Sequence, residues 1–130
     1  MISLPITSFT ALFTGVLILL LTVRVVQLRR HGGVVLGDNN DRALAKAIRG
    51  QANAVEQLPI ALILMGLAEL QGSGSVLLLL SAVLLVVGRS LHAVYFAIHG
   101  TNWRLRFYGM WMTLVAQAAL LVALGLTVLS

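Results

Sequence analysis

Long apolar stretches separated by short polar turns dominate the pattern of this chain. Three windows carry no formally charged residue, at positions 1–23, 70–88 and 107–130. Each is close to the ~20 residues that a helix needs to cross a hydrocarbon core. A fourth apolar stretch, at 43–70, is interrupted by polar side chains. The pattern predicts an all-α integral membrane four-helix bundle that forms a single domain over 1–130, with helices at about 4–29, 42–70, 76–98 and 104–129.

Composition supports this fold class. The chain is 59% hydrophobic and only 10% charged, whereas soluble domains carry roughly 25% charged residues. It contains no cysteine, which excludes disulfides, thiolate metal sites and a cysteine nucleophile. The histidines at 31, 92 and 99 do not follow a metal-ligand spacing, so we expect no metal site.

The basic residues predict how the bundle is oriented. Most of the nine lysines and arginines surround the loop after the first helix or the loop after the third, and the second loop has none. By the positive-inside rule, loops one and three lie in the cytoplasm and both termini lie outside. The net charge of +5 therefore reflects topology, and we expect no nucleic-acid partner.

A polar face on the second helix is the main candidate for function. Arg49, Asn53 and Glu56 are spaced by four and three residues, which places them on one side of a helix. Ionisable groups at membrane depth are costly and usually mark a functional site. Arg89 of the third helix lies at a similar depth, about 15 Å from the cytoplasmic face, where it can meet Asn53 or Glu56.

A larger set of polar residues lies around this face and the cytoplasmic ends of the helices. It comprises Arg29, Arg30, Arg49, Gln51, Asn53, Glu56, Arg89, His92, Tyr95 and Arg106. The set is strongly cationic with one acid, and arginine forks bind carboxylates in bidentate fashion. It suits a small zwitterionic peptide with two carboxylates, of which glutathione is one.

Structural roles for these residues remain open from the sequence. Glu56 can pair with Arg89 or Arg49 and simply tie helices together, because ion-pair networks also bury charges. Arg29 and Arg30 can serve only to set topology. A lone histidine such as the one at 92 is more often a packing residue than a ligand.

Three segments resemble the MAPEG superfamily, the membrane-associated proteins of eicosanoid and glutathione metabolism. RGQANAVEQLP at 49–59 is similar to the family signature of arginine, asparagine, glutamate and proline on the second helix. GRSLHA at 88–93 and RFYGM at 106–110 resemble the bacterial branch. The resemblance implies a homotrimer in a bacterial inner membrane, with glutathione as co-substrate in clefts between subunits that open to the cytoplasm.

The resemblance also implies roles for individual residues. Arg49, Asn53 and Glu56 would hold glutathione, with Gln51 and Arg29 contributed by the neighbouring subunit. Two further arginines have catalytic counterparts in the family. Arg106 would stabilise the glutathione thiolate, and Arg30 would lie near the lipophilic substrate.

The chain departs from the family pattern at two positions. Gln57 stands where a tyrosine is common, and His92 stands where the eukaryotic enzymes have a tyrosine. Both positions belong to the predicted glutathione-binding set, together with Arg89 and Tyr95.

The sequence therefore favours a membrane-bound glutathione transferase of the microsomal type, or a related peroxidase, that attacks a lipophilic electrophile. Its expected partners are further copies of itself, membrane lipid and a lipophilic small molecule. The alternative is a non-enzymatic binding or scaffold protein of the same fold. A transporter is the third and least favoured hypothesis, because four unbroken helices give little sign of alternating access.

Overall fold

The computed structural model describes residues 3–129 and contains four α-helices. These are α1 (Pro5–Gly32), α2 (Arg42–Leu70), α3 (Ser75–Ala97) and α4 (Trp103–Leu129). All four are long and apolar enough to cross a membrane, so the predicted all-α membrane fold is confirmed. Residues 1, 2 and 130 of the predicted domain lie outside the described residues.

The helices form an up-and-down bundle. Helix α1 packs against α2 and α3, and α4 packs against the same two helices. Helices α2 and α3 therefore face each other across the centre, while α1 and α4 lie on opposite sides. Because consecutive helices alternate in direction, α1 and α3 run parallel. We call the end where α1 and α3 finish and where α2 and α4 begin the basic end.

The outer surface of the bundle carries many large apolar side chains. Phe9 and Leu126 are 75% and 65% exposed, whereas Leu58 and Leu85 are fully buried. In water such a surface would be unstable, but lipid tails are as apolar as leucine. The exposed side chains therefore fit a protein surrounded by lipid or by further subunits.

The closest helix approach is between α3 and α4. A Cβ atom added to Gly88 would lie 2.8 Å from the carbonyl oxygen of Gly109, and one added to Gly109 would lie 2.6 Å from that of Gly88. Only glycine at both positions allows the two backbones to come this close. The contact fixes the start of α4 against the half of α3 that carries Arg89 and His92.

Local signals define the loop at the basic end. Helix α1 continues three residues beyond its predicted end and stops at Gly33, which adopts the left-handed conformation with φ 63°. Asn39 and Asn40 are also left-handed. The side chain of Asp41 accepts hydrogen bonds from the backbone N–H groups of Ala43 and Leu44 at 2.8 and 3.3 Å, so Asp41 is the N-cap of α2.

The opposite end of α1 is capped by another helix. Leu4 offers no side-chain cap, and the free N–H groups of Ile6 and Thr7 donate to the two carboxylate oxygens of Glu69 on α2, at 3.0 and 2.8 Å. A carboxylate also interacts favourably with the positive end of a helix dipole. This contact ties the start of α1 to the end of α2.

Candidate functional site

The polar face of α2 divides into an outward part and an inward part. Arg49 and Glu56 are exposed on the outside of the subunit. Neither forms a hydrogen bond or ion pair with any residue of the described chain. Glu56 lies 14 residues after Arg42, so it is about 21 Å along the helix, near its middle. The pairing of Glu56 with Arg49 or Arg89, which the sequence left open, does not occur within the described chain.

Asn53 turns the other way and belongs to a network inside the bundle. Arg89 is only 1% exposed. One of its terminal nitrogens donates to the backbone carbonyl and side-chain oxygen of Asn53, at 3.3 and 3.2 Å. Its Nε donates to the hydroxyl of Thr113 at 3.0 Å. Arg89 thus meets Asn53 as the helix depths predict, and it links α2, α3 and α4 through neutral acceptors.

His92 lies one turn further along α3 and is also inside the bundle. It is 3% exposed, and its ring centroid is 4.8 Å from that of Phe96. The positive charges of Arg89 and Arg106 both act on its ring. Its surroundings resemble those of a packing residue, and it has little surface that a ligand could reach within one subunit.

Tyr95 lies near the basic end of α3 and is half-buried. Its ring packs edge-on against Phe96, with centroids 5.0 Å apart. The ammonium group of Lys46 on α2 lies 4.2 Å from the centre of the Tyr95 ring. Tyr95 therefore links α2 and α3, with Lys46 as a partner that the sequence did not predict.

The two glutamines of the predicted site differ in their contacts. The backbone carbonyl and side-chain oxygen of Gln57 accept hydrogen bonds from Nε2 of Gln117, at 3.1 and 3.2 Å. Gln57 therefore joins α2 to α4. Gln51 is half-buried and forms no hydrogen bond within the described residues.

A depression of about 320 Å³ lies between the end of α1 and the first turns of α2. Arg29 and Arg49 both line it, as does Asp38 from the loop. Arg29 donates to the backbone carbonyl of Gly37 at 2.9 Å, which holds the guanidinium against this loop. Arg30 is exposed beside it, without a hydrogen bond to the described part of the chain.

Arg106 stands at the start of α4. It is exposed, as is Arg104 two residues earlier. Arg106 lies three residues before Gly109, which packs against the backbone of Gly88 and His92, so it shares the face of α4 that is turned toward α3. This position puts its guanidinium at the basic end, above the interior network of Arg89 and Asn53.

Taken together, the predicted residues form two groups. The interior group is closed and consists of Asn53, Gln57, Arg89 and His92, with Tyr95 at its edge. The outer group is open, mostly cationic and free of internal partners apart from the loop contact of Arg29 and the charge effect of Arg106 on His92. Its members are Arg29, Arg30, Arg49, Glu56 and Arg106. Residues 3–129 contain no group of three His, Asp or Glu side chains that could hold a metal ion.

Sequence reasoning missed Thr113 and Gln117, the α4 partners of the interior group. Both lie at helical spacing from Gly109, four and eight residues later. That spacing is the signal that could have identified them, because polar residues on one face of a membrane helix usually point into the bundle.

The fold and these two groups define a multi-pass, four-helix membrane protein with a polar interior and an outward-facing charged site. The chain matches the MAPEG family over residues 7–126. This chain therefore belongs to the MAPEG family.

Two curated relatives resemble it along most of its length. Both are called inner membrane protein YecN, from Escherichia coli strain K12 and from Escherichia coli O6:H1 strain CFT073. Each is 31% identical over 118 residues, which cover 91% of this chain and 88% of the relative. No solved structure gives a significant match.

Proposed function

We propose that this protein is an inner-membrane glutathione transferase or peroxidase that works as a homotrimer, with glutathione bound between neighbouring subunits at the basic end. The observation that carries the proposal is the outward position of Arg49 and Glu56. Two charged side chains at membrane depth are costly when neither has a partner within its own bundle. A neighbouring subunit and a charged ligand would together supply the missing partners.

The donor set of the outer group fits a peptide with two carboxylates and one ammonium group. Arg29 and Arg49 line one depression, and each guanidinium can bind a carboxylate through two parallel hydrogen bonds. Glu56 is the acceptor for the ammonium group. A neighbouring subunit would close the cleft with its Gln51 reaching toward Glu56, while the Arg29 beside Arg49 belongs to the same chain.

Arg106 is the residue that we assign to thiol activation. A thiol has a reference pKa near 8.5, and a nearby guanidinium lowers the pKa and favours the thiolate. The thiol proton passes to water. The thiolate sulfur then forms a bond to the electrophilic carbon of a lipophilic substrate, and the bond from that carbon to its leaving group breaks. Arg30 would lie near that substrate.

The substrate class follows from the membrane. The surface around the bundle is apolar, so the compounds that reach the cleft most readily are those that partition into the bilayer. A lipid hydroperoxide is a second candidate; two glutathione molecules together supply the two electrons that break its O–O bond, and the products are the lipid alcohol, water and glutathione disulfide. We place the cleft on the cytoplasmic side because the basic loops lie at this end.

A non-enzymatic binding or scaffold protein is the alternative, and one observation favours it. Gln57 is engaged by Gln117, and His92 is 3% exposed. At these two positions, where family enzymes have a tyrosine, the side chain is therefore engaged or buried and has little access to a ligand. A protein with these two contacts missing could still hold an anionic ligand through its outer arginines.

The test separates binding from turnover. Glutathione binding to the purified protein in mild detergent is measured by calorimetry, and conjugation is measured with a lipophilic electrophile. We expect Arg49→Ala and Glu56→Gln each to weaken binding about tenfold or more, since each loses a charge-assisted hydrogen bond. Binding without turnover supports the alternative, and no binding to a well-folded trimer excludes both glutathione functions.

Arg106→Ala isolates the catalytic step, with Arg104→Ala as the matched control on the same turn. Loss of Arg106 should raise the pKa of the bound thiol and lower the turnover number more than it weakens binding. Arg106→Lys should keep part of the effect. Identical thiolate absorbance titrations for Arg106→Ala and the wild type would rule out the assignment.

A further inference from the structure

A groove between α1 and α3 runs along the membrane-facing side of the bundle. Its half nearer the basic end has a volume of about 440 Å³. The α1 side of this half extends from Leu17 to Gln27, and ten residues of helix correspond to about 15 Å. That length is half of a hydrocarbon core of about 30 Å, so this half of the groove spans one leaflet.

The wall of the groove is apolar along most of its length and basic at its end. Leu17, Leu21 and Val94 line the deeper part, and Arg24 lines the end. Arg24 is exposed and has no hydrogen bond or ion pair within the described residues. An unpaired guanidinium at this level of a membrane helix requires an anion or water at the interface.

A small depression continues the groove at the basic end. It shares Arg24 and Ile98 with the groove and is also lined by Lys46 and His99. The ammonium group of Lys46 donates to the carbonyl of Ile98 at 3.2 Å, which keeps this cation beside the groove. No Asp or Glu among the described residues lines either space. The positively charged side chains of Arg24 and Lys46, together with His99, therefore surround the end of the apolar groove.

We infer that this groove binds an anionic phospholipid of the leaflet at the basic end. One acyl chain lies along the apolar wall between α1 and α3, and the phosphate is held by Arg24 and Lys46. Charge complementarity identifies the occupant, because Arg24 and Lys46 bring two positive charges to the end of the groove and no described Asp or Glu lines it.

The groove itself lies between α1 and α3, and none of its described lining residues comes from α2. Among the described residues, α2 contributes only Ala43 and Lys46, which line the small depression at the basic end. The outward charged residues that call for a neighbouring subunit, Arg49 and Glu56, lie on α2, which faces α3 across the bundle. The inference is therefore independent of the proposed glutathione site, and it holds whether or not the protein is an enzyme.

The experiment uses the intact protein in mild non-ionic detergent. Native mass spectrometry counts bound lipid per subunit while dioleoylphosphatidylglycerol or dioleoylphosphatidylcholine is added. We expect about one tightly retained phosphatidylglycerol per subunit, weaker retention of phosphatidylcholine, and a loss of affinity with salt. Arg24→Gln should weaken phosphatidylglycerol binding about tenfold. Arg104→Gln removes one exposed charge at the same end and should change the affinity less than twofold.

A second pair of variants tests the apolar wall. Val94 is 39% exposed and lines the groove, so Val94→Trp should fill it and weaken binding of both lipids. Leu80→Trp is the control, since Leu80 is 58% exposed on the same helix and lines neither part of the groove.

Three results would overturn the inference. The first is an equal effect of Arg24→Gln and Arg104→Gln, which would mean that only overall charge matters. The second is unchanged binding in a folded Val94→Trp variant. The third is efficient crosslinking between subunits through a single Val94→Cys, introduced into this cysteine-free chain, because it would show that a subunit covers the groove.

Discussion

The contact between α3 and α4 predicts that Gly109→Ala destabilises the protein. The added Cβ would lie 2.6 Å from the carbonyl oxygen of Gly88 and 2.8 Å from the backbone nitrogen of His92. Both neighbours are backbone atoms of α3, so no side chain can rotate to relieve the clash. The two helices must separate by several tenths of an ångström along the segment that positions Arg89.

Two opposing terms set the magnitude. Inserting a methyl group into a packed contact costs about 1–3 kcal/mol, and the rigidity of these neighbours favours the upper end of that range. Alanine in a helix interior regains about 0.8–1.0 kcal/mol relative to glycine. The net expectation is a loss of roughly 2 kcal/mol in the free energy of unfolding.

Gly125→Ala is the matched control, because it lies on the same helix and its added Cβ would meet nothing within 4 Å. The free energy of unfolding of this variant should rise by up to about 1 kcal/mol. Denaturant unfolding in a mild detergent, followed by circular dichroism, measures both variants against the wild type. If Gly109→Ala is as stable as Gly125→Ala, the close approach of α3 and α4 is not as described.

Further predictions concern the other contacts and the orientation. Glu69→Ala should lower the free energy of unfolding by about 1.5–3 kcal/mol, since two N–H groups lose a charged acceptor, and Glu69→Gln should lie between it and the wild type. Thr113→Val should destabilise by about 1–3 kcal/mol because it removes the acceptor of Arg89 Nε, whereas Thr113→Ser should be close to neutral; equal effects would contradict the Arg89 network. A single Asn39→Cys should react with a membrane-impermeant maleimide only after cells are opened, and labelling of intact cells would reverse the topology. The mass in mild detergent, corrected for bound detergent, should be that of a trimer, and a monomer under conditions that support binding would contradict the shared cleft.

The sequence predicted the four helices because hydrocarbon thickness constrains the length of every span. The depth of each side chain in the membrane could also be predicted, since each helix rises a fixed 1.5 Å per residue. This is why the meeting of Arg89 and Asn53 was foreseeable. Capping by Asp41 was also foreseeable, because a short-range rule connects an N-cap side chain to the N–H groups two and three residues later.

The direction of each side chain around its helix was less predictable. Spacings of four and three place Arg49, Asn53 and Glu56 within one sector, but that sector is wide enough to straddle the edge of a helix interface. Asn53 falls on the inner side of the edge, and the other two fall on the outer side. Only the packing of α2 against its neighbours decides which residues turn inward.

The cap of α1 was missed because its partner is distant in sequence. Leu4 cannot cap the helix, and the nearest carboxylate in space belongs to Glu69, more than sixty residues later. The clue was available, because topology places the start of α1 and the end of α2 at the same end of the bundle. An uncapped helix start and a lone acid at the same level are each costly, and pairing them satisfies both.

The positions of Arg89 and Glu56 together explain why the outer face of α2 is the place to look for a partner. A guanidinium and a carboxylate inside one bundle normally pair, since each reduces the cost of burying the other. Here Arg89 is satisfied by the neutral oxygens of Asn53 and Thr113, and Glu56 points away from it. A carboxyl group near the middle of a membrane helix is costly unless polar groups surround it. The described residues of this chain supply no hydrogen bond to Glu56, so its polar partners come from a neighbouring chain, a bound ligand or water.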